Sequence, residues 1–305
     1  MAVPLPSEEI AAPAQTGVIA TATPKQAPSP WQAARHRFVK SRTGVAGAIV
    51  LLLVLFCAVF AAQVAPYSPT KQDFRLKLLP PSREHLMGTD DLGRDVFSRV
   101  VWGAQASLAA GAVAASLALG VGLVLGMLAA YYGGRADTVI MRGMDVVLAF
   151  PYILLAIGVV AILGPGLRNA MIAIGIVYIP FYARVVRGSV LAVRGREYVD
   201  AARTLGASDH RIMWQHVLPN TLAPLIVLTT LNVGQAIIDT AGLSFLGLGT
   251  QPPTPDWGNM LAGGRNYIID APWIVTFPGL AILATVLAFN LMGDALRDAF
   301  DPRLR

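Results

Sequence analysis

The chain has 305 residues, of which 55% are hydrophobic and only 14% charged, with a mean hydropathy of +0.57. Soluble domains carry about a quarter charged residues, so this composition excludes an ordinary soluble protein and points to a polytopic membrane protein. The net charge of +6 does not signal nucleic acid, because the basic residues are scattered at the ends of apolar runs, and the single Cys57 inside one such run leaves no disulfide or cysteine-based metal site within the chain.

Residues 1–30 are rich in Pro, Ala and Thr and lack a basic start, so they read as a disordered tail rather than a signal peptide. Arg35, Arg37, Lys40 and Arg42, with Trp31 and Phe38 nearby, form a basic collar suited to a membrane surface. Six apolar runs then approach the roughly 20 residues that a bilayer needs. They are Gly44–Ala65, Ala106–Tyr132, Met144–Leu163, Ala170–Tyr182, Thr221–Leu243 and Trp273–Met292, the fourth being short. Gly122 and Gly126 have the GxxxG spacing of closely packed helices, though chance in a Gly/Ala-rich run gives the same pattern.

With the amino terminus placed inside, the inner segments hold 16 Lys and Arg against 8 outside, together the 24 of the chain. That excess favours both termini in the cytosol. The outer segment between spans one and two ends in GTDDLGRDVFSR, Gly88 to Arg99, where Asp90, Asp91 and Asp95 mix with Arg94 and Arg99. On physics alone it reads as a self-paired, solvated loop. The other outer segment, Gly242 to Leu261, is stiffened by Pro252, Pro253 and Pro255, and its Trp257 suits a membrane interface. It reads equally as part of an external gate or as a rigid connector.

Within the fifth span Asn232, Gln235 and Asp239 recur at three and four residues and so share one helical face. A carboxylate in lipid is expensive, so this face should meet water or protein. It reads as a lining of the translocation path, with a polar seam against a neighbouring helix as the alternative. Asp145 has Arg142 and Arg184 as candidate partners. No Gly-x4-Gly-Lys-Ser/Thr phosphate loop and no Gly-x-Ser-x-Gly elbow occurs, and the four His are too scattered to suggest a metal site. No cofactor is expected in this chain.

Between the fourth and fifth spans lies a polar island, YVDAARTLGASDHRIMWQHVLPN, from Tyr198 to Asn220. Good helix formers run to Leu205, Gly206 permits a turn, and Ser208 or Asp209 can cap a second short helix that ends before Pro219. The expected shape is a helix–turn–helix bracket outside the bilayer. Asp200-Ala201-Ala202, Gly206 and Leu218-Pro219 have the spacing of the EAA loop, and the chain resembles the C-type permeases of bacterial dipeptide, oligopeptide and nickel ABC importers. Asp200 replaces the usual Glu and His216 the frequent Ile. The Gly88–Arg99 phrase and the ending Phe289 to Asp294, with Asp301-Pro302, are similar to the same family. Gly134 to Asp137 and Gly264 to Tyr267 suggest its D,D-dipeptide branch.

The resemblance implies an all-α, six-span type I importer fold. Its parts would be a cytosolic tail (1–34), a collar with the first span and an outer loop (35–105), and a five-helix core (106–305) with the coupling loop at 184–220. It implies the cytoplasmic membrane and its lipid as setting, and partners: a homologous second permease, two ATPase subunits carrying ATP and Mg, and an external substrate-binding protein. Tyr198, Asp200, Ala201, Ala202, Gly206, His216, Leu218 and Pro219 would then meet the ATPase. Glutathione, D-Ala-D-Ala or nickel are alternative cargoes. A gradient-driven carrier, channel or membrane enzyme are the rivals from other classes; no internal inverted repeat supports a carrier.

Overall fold

In the computed structural model, which describes residues 30–300, every regular element is a helix. The expected tail and the Asp301-Pro302 ending lie outside the described residues. The collar forms α1 (Pro30–Lys40), which packs on the far end of the last helix. The first span is α2 (Arg42–Val59), capped by the Ser41 hydroxyl, with a short α3 (Ala61–Val64) after a break at Phe60.

The second span, α4 (Val96–Tyr132), is 37 residues long and starts ten residues before the expected Ala106. The apolar run alone placed that start too late. Asp95 caps the helix by accepting from the Ser98 amide at 2.7 Å, and the polar Arg99 and Gln105 are paid for by carbonyls of Pro69 and Ala58. The boundary drawn at 105/106 therefore falls inside a helix. The third run is broken: α5 (Gly134–Leu148) and α6 (Tyr152–Leu163) meet at 89°. Pro151 lacks an amide hydrogen and disfavours helical backbone at Phe150, which ends α5 there.

The fourth span, α7 (Leu167–Arg194), has 28 residues and is not short. Arg184 and Arg187 in its last turns are paired with acids of α5, so the helix continues beyond the apolar run. After it come α8 (Glu197–Thr204) and α9 (Asp209–Arg211), which passes through a π turn (Ile212–Val217) directly into α10 (Leu218–Phe245). α11 (Trp257–Gly264) and the final span α12 (Trp273–Phe300) complete the chain. Five helices are long and apolar enough to cross a membrane, or six if the bent α5–α6 pair counts as one span.

The broadest contact is α4 against α7. It uses the glycine pair: a Cβ on Gly122 would lie 2.5 Å from Tyr182 Cβ, and one on Gly126 would lie 2.5 Å from the Ala183 carbonyl oxygen. Small residues let backbones approach where lipid supplies no hydrophobic drive between helices. α10 lies against α4, α7 and α12, and α2 covers α12. Gly126→Ala should cost about 1–3 kcal/mol by overpacking against backbone. Gly120→Ala, whose Cβ would meet nothing within 4 Å, should be neutral or slightly stabilising. Thermal unfolding of both variants in detergent checks the contrast.

Candidate functional site

The polar island folds as a bracket whose two arms are held very differently. α8 ends in a Schellman cap: the Ala207 amide donates to the Ala202 carbonyl at 3.1 Å and the Gly206 amide to Arg203 at 3.0 Å. Gly206 sits at φ +80°, in the left-handed region that the motif requires, with no neighbour within 4 Å of a would-be Cβ. Ser208 caps α9, accepting from the Arg211 amide. The second arm, however, does not end before Pro219. It continues into α10, because the π turn widens the backbone ring where proline would otherwise clash with the preceding turn.

The inner side of the bracket is bolted to the bundle. Val199, Ile212, Met213 and Val217 are buried against Met127 and Tyr131 of α4 and Val190 of α7. The Tyr131 hydroxyl donates to Asp209 at 2.6 Å, and Arg194 donates to the Ala130 carbonyl at 2.8 Å. The outer side is bare. Leu205 is 87% exposed, Trp214 51% and Tyr198 40%, while Ala201 and Pro219 are exposed and Ala202, His216 and Leu218 half-buried. Asp200 is also exposed and reaches only Arg203, at 3.4 Å. Of the sequence-derived residues, Tyr198, Asp200, Ala201, Gly206 and Pro219 are exposed, whereas Ala202 and Leu218 pack against the inner cluster; the exposed Leu205 and Trp214 add apolar surface that the motif did not include.

The polar stripe of α10 faces α6 and α7. Asp239 is buried; one oxygen accepts from the Tyr178 hydroxyl of α7 and the other from the Gln235 amide at 3.1 Å. Asn232, Gln235 and Asp239 line an open pocket of ≈ 350 Å³ with Leu148, Tyr152, Val177, Tyr178 and Phe181. Tyr178 was not legible beforehand, since its place opposite Asp239 comes from helix packing alone. About two turns further along α7, Arg184 donates to Asp145 at 2.7 Å, and Arg187 beyond it grips Asp137 through two bonds of 2.5 and 2.6 Å. Asp145 also lies 3.7 Å from Arg142, so both candidate partners engage it.

At the opposite end of α4 the Gly88–Arg99 segment is self-paired but not solvated. Asp90 is only 4% exposed; it accepts from Arg94 at 2.6 Å and from the Leu92 and Arg94 amides, with Arg99 at 3.6 Å. Asp95 holds buried His85 at 2.9 Å, and Asp91 lies at the half-exposed rim. The acids are buried because turn amides and arginines replace their water. Trp257 is likewise no interface residue. It is buried, and its ring nitrogen donates to the Val100 carbonyl at 2.9 Å, while Ser107 of α4 donates to Asp256 beside it. Among the described residues no three His, Cys, Asp or Glu gather as a metal site.

A bundle of membrane-crossing helices with a polar-lined pocket and a bare helical bracket defines a polytopic component of a membrane transport system. The chain belongs to the family described as binding-protein-dependent transport system inner membrane component, whose model matches residues 122–305. Residues 29–81 match the N-terminal TM domain of oligopeptide transport permease C. It is 50% identical to the di/tripeptide transport system permease protein DppC of Pseudomonas aeruginosa, across 91% of this chain and 94% of that one. It is 49% identical to the probable D,D-dipeptide transport system permease protein DdpC of Escherichia coli K12, across 85% and 87%. A glutathione transport system permease protein GsiD of an Escherichia coli O6:K15:H31 strain is 47% identical, across 92% and 93%. The fold is shared with the inward-facing MetNI methionine ABC transporter, at a TM-score of 0.55 and 20% identity over 67% of this chain and 97% of that one.

Asp95→Ala removes a helix cap and the partner of His85 together and should destabilise the protein by about 2 kcal/mol. Asp91→Ala at the rim should change stability by less than about 0.5 kcal/mol. Detergent melting curves of the two variants distinguish them.

Proposed function

We propose that this chain is one permease subunit of an ATP-driven importer for short peptides, lying in the cytoplasmic membrane with both termini in the cytosol. The observation that carries the proposal is the bracket. Its inner side is welded to α4 and α7, while its outer face presents Leu205, Tyr198 and Trp214 around the Gly206 turn. A protein that exposes such a patch keeps it for a partner. Here the partner is an ATPase subunit, which supplies ATP and Mg because this chain has no phosphate loop. Two such subunits, a homologous second permease and an external binding protein complete the importer. Ala201 and Ala202 allow close approach, Gly206 sets the turn and Asp200 offers a charge to the partner.

Closure of the ATPases around nucleotide would push the bracket, and the push reaches the bundle through α10 and through the Tyr131–Asp209 bond. Asn232, Gln235 and Asp239 then line the path of the cargo. The buried Asp90–Arg94–Arg99 group, the His85–Asp95 pair and Trp257 serve as scaffold for the outer end, not as gate. The D,D-dipeptide and glutathione relatives make those peptides the nearest alternative cargoes.

The chain is purified with a tag from its native membrane in mild detergent, and its companions are identified by mass spectrometry. A P-loop ATPase and a second permease should accompany it. Leu205→Asp changes only an exposed side chain and should cut ATPase recovery at least about tenfold while the second permease stays bound. Gly206→Val should act likewise, since a β-branched residue in left-handed backbone costs about 1–2 kcal/mol or more. An intact chain that emerges without any ATPase, in a preparation preserving known ABC complexes, sinks the proposal in favour of gradient-driven transport.

A further inference from the structure

Asp239 is a carboxylate buried in a membrane span without a cationic partner. Its two partners are a hydroxyl, from Tyr178, and an amide, from Gln235. Neither carries a charge. The pocket that it lines contains Tyr152, Tyr178 and Phe181 but no Lys, Arg or His. Further along α7, Arg184 and Arg187 already hold Asp145 and Asp137. An ionised carboxylate in such a setting is costly until a positive charge reaches it.

We infer that Asp239 is the docking point for the α-ammonium group of a peptide in transit, an assignment that rests on the reading of α10 as a wall of the path. Tyr178 and Gln235 each occupy one carboxylate oxygen and so fix its orientation. Each oxygen retains acceptor capacity for an N–H of the incoming ammonium. The rings of Tyr152, Tyr178 and Phe181 add faces that attract a cation. Asn232 and Gln235 supply amides suited to a peptide bond. A single carboxylate with no His or Cys beside it suits an ammonium and not a divalent metal, which would need more ligands. The charge of the amino terminus is read without regard to side chain or to chirality at the α-carbon. The pocket would therefore pass many short peptides and refuse one whose amino terminus is blocked.

The complete importer, with both permeases, the ATPases and the binding protein, is reconstituted in proteoliposomes. Uptake of radiolabelled dialanine and binding-protein-stimulated ATP hydrolysis are measured together. Asp239→Asn removes the charge, keeps one oxygen for the Tyr178 hydroxyl and turns an NH2 toward Gln235, whose amide can flip to accept from it. It should lower uptake per ATP at least tenfold while stimulated hydrolysis stays within twofold of wild type. Thr240→Val, a buried substitution of similar shape on the same helix but outside the pocket lining, should hold uptake per ATP within threefold.

Wild-type uptake per ATP in Asp239→Asn overturns the inference. So does an equal fall in both variants, or a joint loss of hydrolysis and thermal stability in Asp239→Asn, because either makes Asp239 a packing contact. Wild-type vesicles that take up no dialanine on ATP, although their binding protein binds it, would instead overturn the importer reading on which the inference rests.

Discussion

The approach of α4 to α7 is the contact on which the other parts depend. With Gly122 and Gly126 at the seam, the two backbones come within reach of each other's side-chain stems. One end of α4 then delivers Tyr131 to the bracket and the Ala130 carbonyl to Arg194 at the end of α7. The other end begins at Asp95, inside the buried charge cluster. α7, fixed in register by the seam, presents Tyr178 to Asp239 and two arginines to α5. Larger residues at the seam would move all of these groups together.

Charge is handled differently at the three levels of the bundle. At the Gly88–Arg99 end, acids and arginines are buried as a satisfied set, with turn amides filling the remaining acceptor sites. Toward the bracket, Asp137 and Asp145 pin the otherwise unburied α5 to α7 through half-exposed ion pairs. Pairs of that kind add little stability when exposed, but they define which face α5 turns inward. Between these levels Asp239 stands without a countercharge among its hydrogen-bond partners.

Much of this was legible in the sequence. Long apolar runs carry their own signal, and the Gly206 turn, the Ser208 cap and the common face of Asn232, Gln235 and Asp239 follow from local rules of spacing and conformation. The pairing of Asp145 was also within reach. Helix ends were not, because Arg99, Gln105, Arg184 and Arg187 break the apolar pattern and yet lie inside helices. Their charges and amides are met by groups far away in the chain, such as Pro69, Ala58 and Asp137. Burial of Asp90 and Trp257 was hidden for the same reason: composition around a residue says nothing of what packs on it from elsewhere. The bend at Phe150-Pro151 had a visible cause in the proline, but its 89° size comes from the packing of α6 on α7.

Because α9, the π turn and α10 form one unbroken run from Asp209 to Phe245, the bracket's second arm has no joint where it meets the membrane. A rod of that length is about 55 Å long at the helical rise. Tilting it by about 10° would sweep its far end through roughly 10 Å. Its soft points are the π turn, whose wider ring bends more readily than regular helix, and Pro224, which removes one helical hydrogen bond. The run is thus a lever whose compliant points both lie on the bracket side of Gln235, so that the segment from Gln235 to Phe245 turns as one piece when the bracket moves.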